Sequence, residues 1–133
     1  MNADFSFDGA AARRIEQVYL TQDIIEQRRA TRALLRLRPG ETVLDVGCGP
    51  GFLLAEMAEE VGAHGKLSGI DASADMIARA RQRCQGIATV TLQEADALAM
   101  RAAAKARVSH VLTFDRRDFD RLSPLFDVAV ESP

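Results

Sequence analysis

The stretch Thr42-Val-Leu-Asp-Val-Gly-Cys-Gly-Pro-Gly-Phe52 decides the fold. An apolar, β-branched run (Val43, Leu44, Val46) ends in Gly47, Gly49 and Gly51, and an amphipathic run from Phe52 to Val61 follows at once. This order predicts a buried parallel strand, a tight turn and a helix. Glycine suits the turn because it is sharp and because a ligand can approach backbone that carries no Cβ.

The spacing narrows the ligand. A dinucleotide fingerprint has its third glycine one place later, where this chain has Phe52. Asp45, two residues before the first glycine, would repel a pyrophosphate and attract positive charge. S-adenosylmethionine carries an ammonium and a sulfonium, and no phosphate. Beyond the turn, Lys66-Leu-Ser-Gly-Ile-Asp71 reads as a second strand ending in an acid. An acid at that point of such a unit accepts hydrogen bonds from ribose hydroxyls.

Val43-Leu-Asp-Val-Gly-Cys-Gly-Pro-Gly51, followed by Gly69-Ile-Asp-Ala-Ser73 and Met76, resembles the class I S-adenosylmethionine-dependent methyltransferases. The resemblance runs from about Tyr19 to Asp96. It implies S-adenosylmethionine as cofactor and methyl transfer to an acceptor that the sequence does not identify. It also implies a cofactor site made of Asp45 towards the amino end, Gly47, Cys48, Gly49 and Gly51 beneath the methionine and ribose, and Asp71 on the ribose diol. Ala72 and Met76 would follow, with Asp96 and Ala97 at the adenine. Tyr19 and Gln27-Arg28 would approach from helices that cover the cofactor. No general base or acceptor-binding residue is recognisable.

The tail departs from that pattern. After Glu94-Ala-Asp-Ala-Leu98 come an alanine-rich helical run over 97–106, a strand over Val108 to Asp115, a short turn at Arg116-Arg-Asp-Phe119, and a last strand, Phe126-Asp-Val-Ala-Val130. Residues 94–133, chiefly through Leu112-Thr-Phe-Asp-Arg-Arg-Asp-Phe119, resemble the C-terminal part of PIN-domain nucleases. In that family two acids at these places help hold magnesium or manganese, which would be Asp96 and Asp115 here, with Asp45 as a third. The chain is therefore expected to be a chimera, or a truncated methyltransferase, of three parts: a helical lid over 1–40, a cofactor-binding half over 41–96 and a PIN-like completing tail over 97–133. A catalytically inactive structural domain, or a metal-dependent ribonuclease, is the alternative function.

Composition bounds the remaining classes. The chain has 133 residues, 47% apolar and 27% charged, the make-up of one globular domain with a real core. A net charge of -2 gives no general attraction to nucleic acid. No apolar run approaches the roughly 20 residues of a membrane span. The N-terminus lacks the pattern of a signal peptide. Cys48 and Cys84 do not have metal-ligand spacing and read as reduced thiols in a cytoplasmic protein. His64 and His110 are the only histidines, so zinc is not expected.

The expected fold is α/β, Rossmann-like and three-layered. Residues 1–10 are read as loose. N-terminal helices follow over 11–36, broken near Thr21-Gln-Asp23, and Pro39-Gly40 stops them. A five-stranded, mostly parallel, doubly wound sheet comes next, and right-handed crossovers set its order as 3-2-1-4-5. Arg28, Arg29, Arg32, Arg36 and Arg38 make the second helix basic, the ordinary mark of a solvated face. On the fourth helix Met76, Ile77 and Ala80 should point inward, and Arg79, Arg81 and Arg83 outward. An unfinished sheet would leave an edge and an apolar face uncovered, and a homodimer would cover both.

Overall fold

The structure is a computed structural model and describes residues 9–95 and 110–113. Two helices, α1 (Gly9–Tyr19) and α2 (Gln22–Leu35), precede the alternation β1 (Thr42–Val46), α3 (Phe52–Val61), β2 (Lys66–Asp71), α4 (Ala74–Arg83), β3 (Val90–Glu94) and β4 (His110–Thr113). The four strands form one sheet in the order β3-β2-β1-β4. Every pair is parallel: Val43 faces Leu67 and His110, and Leu67 faces Val90. This is the described part of the expected order. The fifth strand, and the helices expected over 97–106 and 116–119, lie outside the described residues. The α/β class and the N-terminal helices are as expected, although α1 starts at Gly9, inside the segment read as loose.

Burial explains the sheet. β1 is one of the two inner strands of the described sheet, and Val43, Leu44, Asp45 and Val46 are all buried. A strand covered on both faces needs a continuous apolar run, and Thr42-Val-Leu-Asp-Val46 supplies one with a single polar interruption. β3, at an edge of the described sheet, alternates instead, with Val90 and Leu92 half-buried between exposed polar residues. α3 and α4 pack against each other and both cover β2 and β3, so they share one face of the sheet. The core between them holds Leu54, Met57, Val61, Leu67 and Ile77. Each contributes about 1.5–3 kcal/mol by leaving water.

Local signals set the helix ends. The Ser73 hydroxyl accepts the Met76 N–H at 3.3 Å and opens α4, with Asp75 in its first turn and Arg81 and Arg83 in its last, where they complement the helix dipole. Thr21 stands at the N-cap of α2 but makes no capping bond. Its hydroxyl donates to the Val18 carbonyl at 2.7 Å and so fixes the turn between α1 and α2. α2 ends on Arg36, in the left-handed region at φ 48, whose N–H returns to the Arg32 carbonyl.

The basic face of α2 is not the solvated surface that its charge suggests. Arg28 is 8% exposed and Arg32 is half-buried. Arg28 meets Glu56 at 2.7 Å, and Arg32 reaches Glu56 at 3.2 Å and Glu60 at 3.1 Å. Two arginines four residues apart on α2 thus face two acids four residues apart on α3, with one helix face matching the other. Arg29, Arg36 and Arg38 remain exposed. On α4, likewise, only Arg81 is exposed: Arg79 and Arg83 pair with Glu16 at 2.7 and 3.2 Å and dock α1 onto α4.

Candidate functional site

The candidate site lies at the C-terminal ends of β1 and β2, where an open α/β sheet leaves a crevice. The backbone between Val46 and Phe52 is held from two sides. Gly47 and Cys48 both donate their N–H to the Ile70 carbonyl, at 2.8 and 2.9 Å. The Gly49 N–H donates to Asp71 Oδ2 at 2.9 Å, and Asp71 Oδ1 accepts the Ser73 N–H at 2.8 Å. One carboxylate therefore ties the glycine turn to the start of α4. Asp71 keeps acceptor capacity on both oxygens, since each has a second lone pair.

Two of the glycines are closely approached by other elements. At Gly51, with φ +83, a Cβ would stand 3.0 Å from both the Cα and the Cβ of Ala80, so α4 could not pack this closely. At Gly49, with φ +56, a Cβ would stand 2.8 Å from the Tyr19 hydroxyl. The phenol of α1 thus lies directly over the turn. Its ring stacks on Phe52, with centroids 5.6 Å apart and planes 12° apart. The Arg83 guanidinium covers Phe52 at 3.5 Å and donates to the Pro50 carbonyl at 2.7 Å. The Arg28 guanidinium lies 5.0 Å from the same ring.

Asp45 is the anomaly of the site. It is 2% exposed, and its Oδ1 has no hydrogen-bond partner among the described residues. Burial, and then the charge of Asp71, push its carboxyl up to about 7. A buried carboxylate without a partner is costly, and a cation beside it would remove the cost. Tyr19 is raised as well, by burial first and then by the charges of Asp45 and Asp71. The Cys48 thiol is pushed far up by burial and then by the same two acids, so it stays protonated and is no nucleophile.

A cavity of about 220 Å³ opens beside Asp45. Gly47, Cys48 and Leu53 line it from below, and Val18, Tyr19, Ile24, Gln27, Arg28 and Thr31 line it from the helical hairpin. Of the residues singled out in the sequence, the structure brings Tyr19, Gln27, Arg28, Asp45, Gly47 and Cys48 to this cavity, with Gly49, Gly51 and Asp71 around the adjoining turn. Ala72 is exposed beyond Asp71, and Met76 is 2% exposed within the packed face of α4, where it is part of the core and not of the cavity wall. Asp96, Ala97 and Asp115 lie outside the described residues. Among the described residues no cluster of three or more His, Cys, Asp or Glu side chains could hold a metal ion.

Sequence reasoning gave no site role to Glu16, Phe52, Glu56 or Arg83, and it pointed Arg83 outward. The matched spacing of Arg28 and Arg32 with Glu56 and Glu60 was the available signal for one of these contacts. The stack of Tyr19, Phe52 and Arg83 has no such signal, because its members come from three different helices.

Comparison with known proteins places this geometry. Residues 37–122 match a family model described as a methyltransferase domain. That match continues well past residue 96, through much of the tail that resembles a PIN nuclease, so the nuclease likeness and the chimera are not supported. The chain is 42% identical over 62 residues to an uncharacterized 37.1 kDa protein in transposon TN4556 of Streptomyces fradiae, covering 47% of this chain and 18% of that protein. It is 46% identical over 48 residues to a 2-phytyl-1,4-naphtoquinone methyltransferase of Nostoc sp., covering 36% and 21%. A SAM dependent methyltransferase from Aquifex aeolicus superposes with a TM-score of 0.54 at 26% identity, covering 68% of this chain and 48% of the other. The matched parts thus span about a fifth of the length of these two curated relatives and about half of the structural neighbour.

Proposed function

This chain belongs to the methyltransferase domain family, and from that premise we propose that it binds S-adenosylmethionine at the glycine turn and presents its methyl group to an acceptor. The observation that carries the reading is Asp45. A buried carboxylate with an unpartnered oxygen, at the wall of a cavity beside a bare backbone turn, fits the ammonium of an amino-acid end. It does not fit a phosphate. The names of the relatives support the same cofactor.

The other residues take compatible roles. Gly47, at the cavity wall with open space where a Cβ would stand, lets a ligand lie against backbone. Asp71 holds the turn through one lone pair on each oxygen and can accept ribose hydroxyls through the others. Tyr19 and Phe52 form an aromatic roof over the turn. S-adenosylmethionine supplies an activated methyl group on sulfur. The protein's part in methyl transfer is to hold the donor at a fixed place and angle and to keep water out, an alignment worth several kcal/mol. The helical hairpin α1–α2 serves both ends. The acceptor stays unassigned.

Calorimetric titration of the full chain with S-adenosylmethionine and with S-adenosylhomocysteine tests this reading. Micromolar binding that weakens at least tenfold in Asp45→Asn supports it. A cooperatively folded chain that binds neither ligand at millimolar concentration overturns it, and the glycine turn is then architecture only.

A further inference from the structure

In the described sheet β3 is an edge, with β2 as its one strand neighbour. The pairing fixes which of its backbone groups are used. In a parallel pair, alternate residues of a strand turn both their N–H and their C=O to the same neighbour. The Leu67 N–H donates to the Thr89 carbonyl at 2.9 Å, and the Ala95 N–H donates to the Asp71 carbonyl at 3.0 Å. Leu67 stands opposite Val90, and Asp71 opposite Glu94. Thr89, Thr91, Gln93 and Ala95 therefore face β2, and Val90, Leu92 and Glu94 turn their backbone groups to the open side. The Val90 N–H is already taken by the Ile87 carbonyl at 3.2 Å. The Val90 carbonyl, both groups of Leu92 and both groups of Glu94 point past the sheet, with no partner among the described residues.

This edge carries none of the usual protections. Native edges are blunted by lysine, proline or a bulge. From Ile87 to Gln93 the chain has no charged residue and no proline, and its pairing with β2 runs without a bulge. Thr91 and Gln93, on one face of the strand, are exposed and uncharged. Val90 and Leu92, on the other face, and Ile87 before them pack against the core yet are only half-buried.

The strand is complementary to itself. In an antiparallel pair with Leu92 opposite the partner's Leu92, Val90 falls opposite the partner's Glu94, and Thr91 opposite the partner's Gln93. This register pairs all three outward residues. The two Leu92 residues exchange N–H and C=O, and each Glu94 N–H donates to the partner's Val90 carbonyl. The outward group at Val90 that lacks a partner thus meets a donor that lacks one. Glu94, the one charge in β3, meets an apolar residue and not a second carboxylate, so no like charges stand opposite. From this self-complementarity we infer that β3 pairs antiparallel with β3 of a second copy of the chain, about a two-fold axis at Leu92. The contact is isologous, continues the described sheet from one copy into the other and closes both edges at once. It does not use the glycine turn or Asp45, so it stands apart from the cofactor reading.

Sedimentation equilibrium of the full chain, from low micromolar to near-millimolar concentration, tests this. The parent should show twice the mass of one chain. Glu94→Pro removes an outward N–H and none that faces β2, so the subunit should still melt cooperatively. By symmetry it deletes a bond on each side of the axis, and the dimer should weaken roughly tenfold or more. Gln93→Pro removes a donor that faces β2 and should lower the melting temperature instead. Leu92→Lys sets like charges across the axis and should give a monomer, while its stem can lie along the surface that Leu92 covers. Leu92→Cys reports the register directly. Treated with glutathione disulfide, its two thiols should join as one disulfide across the axis, and the glutathione disulfide is reduced to two glutathiones. Cα atoms of such a pair stand about 5.5 Å apart, within disulfide reach. Thr91→Cys should not cross-link, because Gln93 stands opposite it. Should Glu94→Pro or Leu92→Lys fail to fold, the cross-link decides. A parent that is monomeric throughout overturns the inference. So does a dimer that folded Glu94→Pro and Leu92→Lys leave intact, or one in which Leu92→Cys forms no cross-link.

Discussion

Gly49 and Asp71 are 22 residues apart in the chain, and the Gly49 N–H donates to Asp71 Oδ2 at 2.9 Å. The acid that ends β2 therefore shapes the turn that follows β1. A single carboxylate fixes the floor of the crevice and ties it to the start of α4. The site is built before any ligand arrives, which lowers the ordering cost of binding.

Asp45 links that site to pH. Its carboxyl titrates near 7 in the folded protein against an ordinary value of 3.8. The proton is bound more tightly in the folded state, so this stability is full below about pH 4 and is lost as pH rises through about 7. Asp45→Asn should melt close to the parent at pH 4 and several degrees above it at pH 8, a difference read by thermal denaturation at the two values. In the parent, affinity for S-adenosylmethionine should climb between pH 5 and 7, by up to about tenfold per unit, because the ammonium needs the ionised acid. A flat calorimetric profile over that range would remove Asp45 from ammonium recognition.

Gly51→Ala and Gly49→Ala should behave differently. At Gly51 the new Cβ meets the body of Ala80, which cannot move without α4. A loss of roughly 2 kcal/mol or more in urea denaturation is expected, from the left-handed φ and the contact together. At Gly49 it meets the far end of Tyr19. That side chain can swing away, so the cost should be nearer 1 kcal/mol. The fluorescence of the chain's single tyrosine should change in Gly49→Ala, and the absence of tryptophan makes the signal clean.

Leu54 has no exposed surface and packs between α3 and the sheet. Leu54→Ala should cost about 2–5 kcal/mol by leaving a cavity, measured by the urea midpoint. A loss below 1 kcal/mol would contradict this packing of α3.

Glu16→Gln removes both of the ion pairs that α1 makes with Arg79 and Arg83. These groups are partly solvated, so the global loss should stay under about 1 kcal/mol. The local effect should be larger. Limited proteolysis should cut within α1 sooner than in the parent, and tyrosine emission should shift as Tyr19 leaves its stack on Phe52. Unchanged cleavage would mean that the stack alone holds the helix.

Cys48 and Cys84 are both buried, and burial raises both thiols. Neither should react with a thiol reagent at pH 8 in the native state, and both should react fully once the chain is unfolded. Rapid native labelling of Cys48 would show that the glycine turn opens to solvent.

The sequence by itself determined the alternation of β1, α3, β2, α4 and β3, because each signal is local. Runs such as Val43-Leu44 and Leu67 to Ile70 name the strands, glycine and Ser73 name their ends, and right-handed crossovers then leave one order for the sheet. It also placed Asp45, the glycines and Asp71 at one crevice, since strand ends in such a sheet converge. The tail misled, because a short string such as Leu112-Thr-Phe-Asp115 fits more than one α/β family. Only the tertiary structure decided which charges are buried. Arg28 and Arg29 are neighbours of the same type on one helix, and one is 8% exposed while the other lies in solvent. The difference comes from how α2 is rotated against α3, which depends on the pairing of Arg28 and Arg32 with Glu56 and Glu60 across 28 residues of chain. The approach of Tyr19 to Gly49 was fixed in the same way, by the docking of α1 through Glu16. Side-chain burial follows from the packing of whole helices, and no local pattern encodes it.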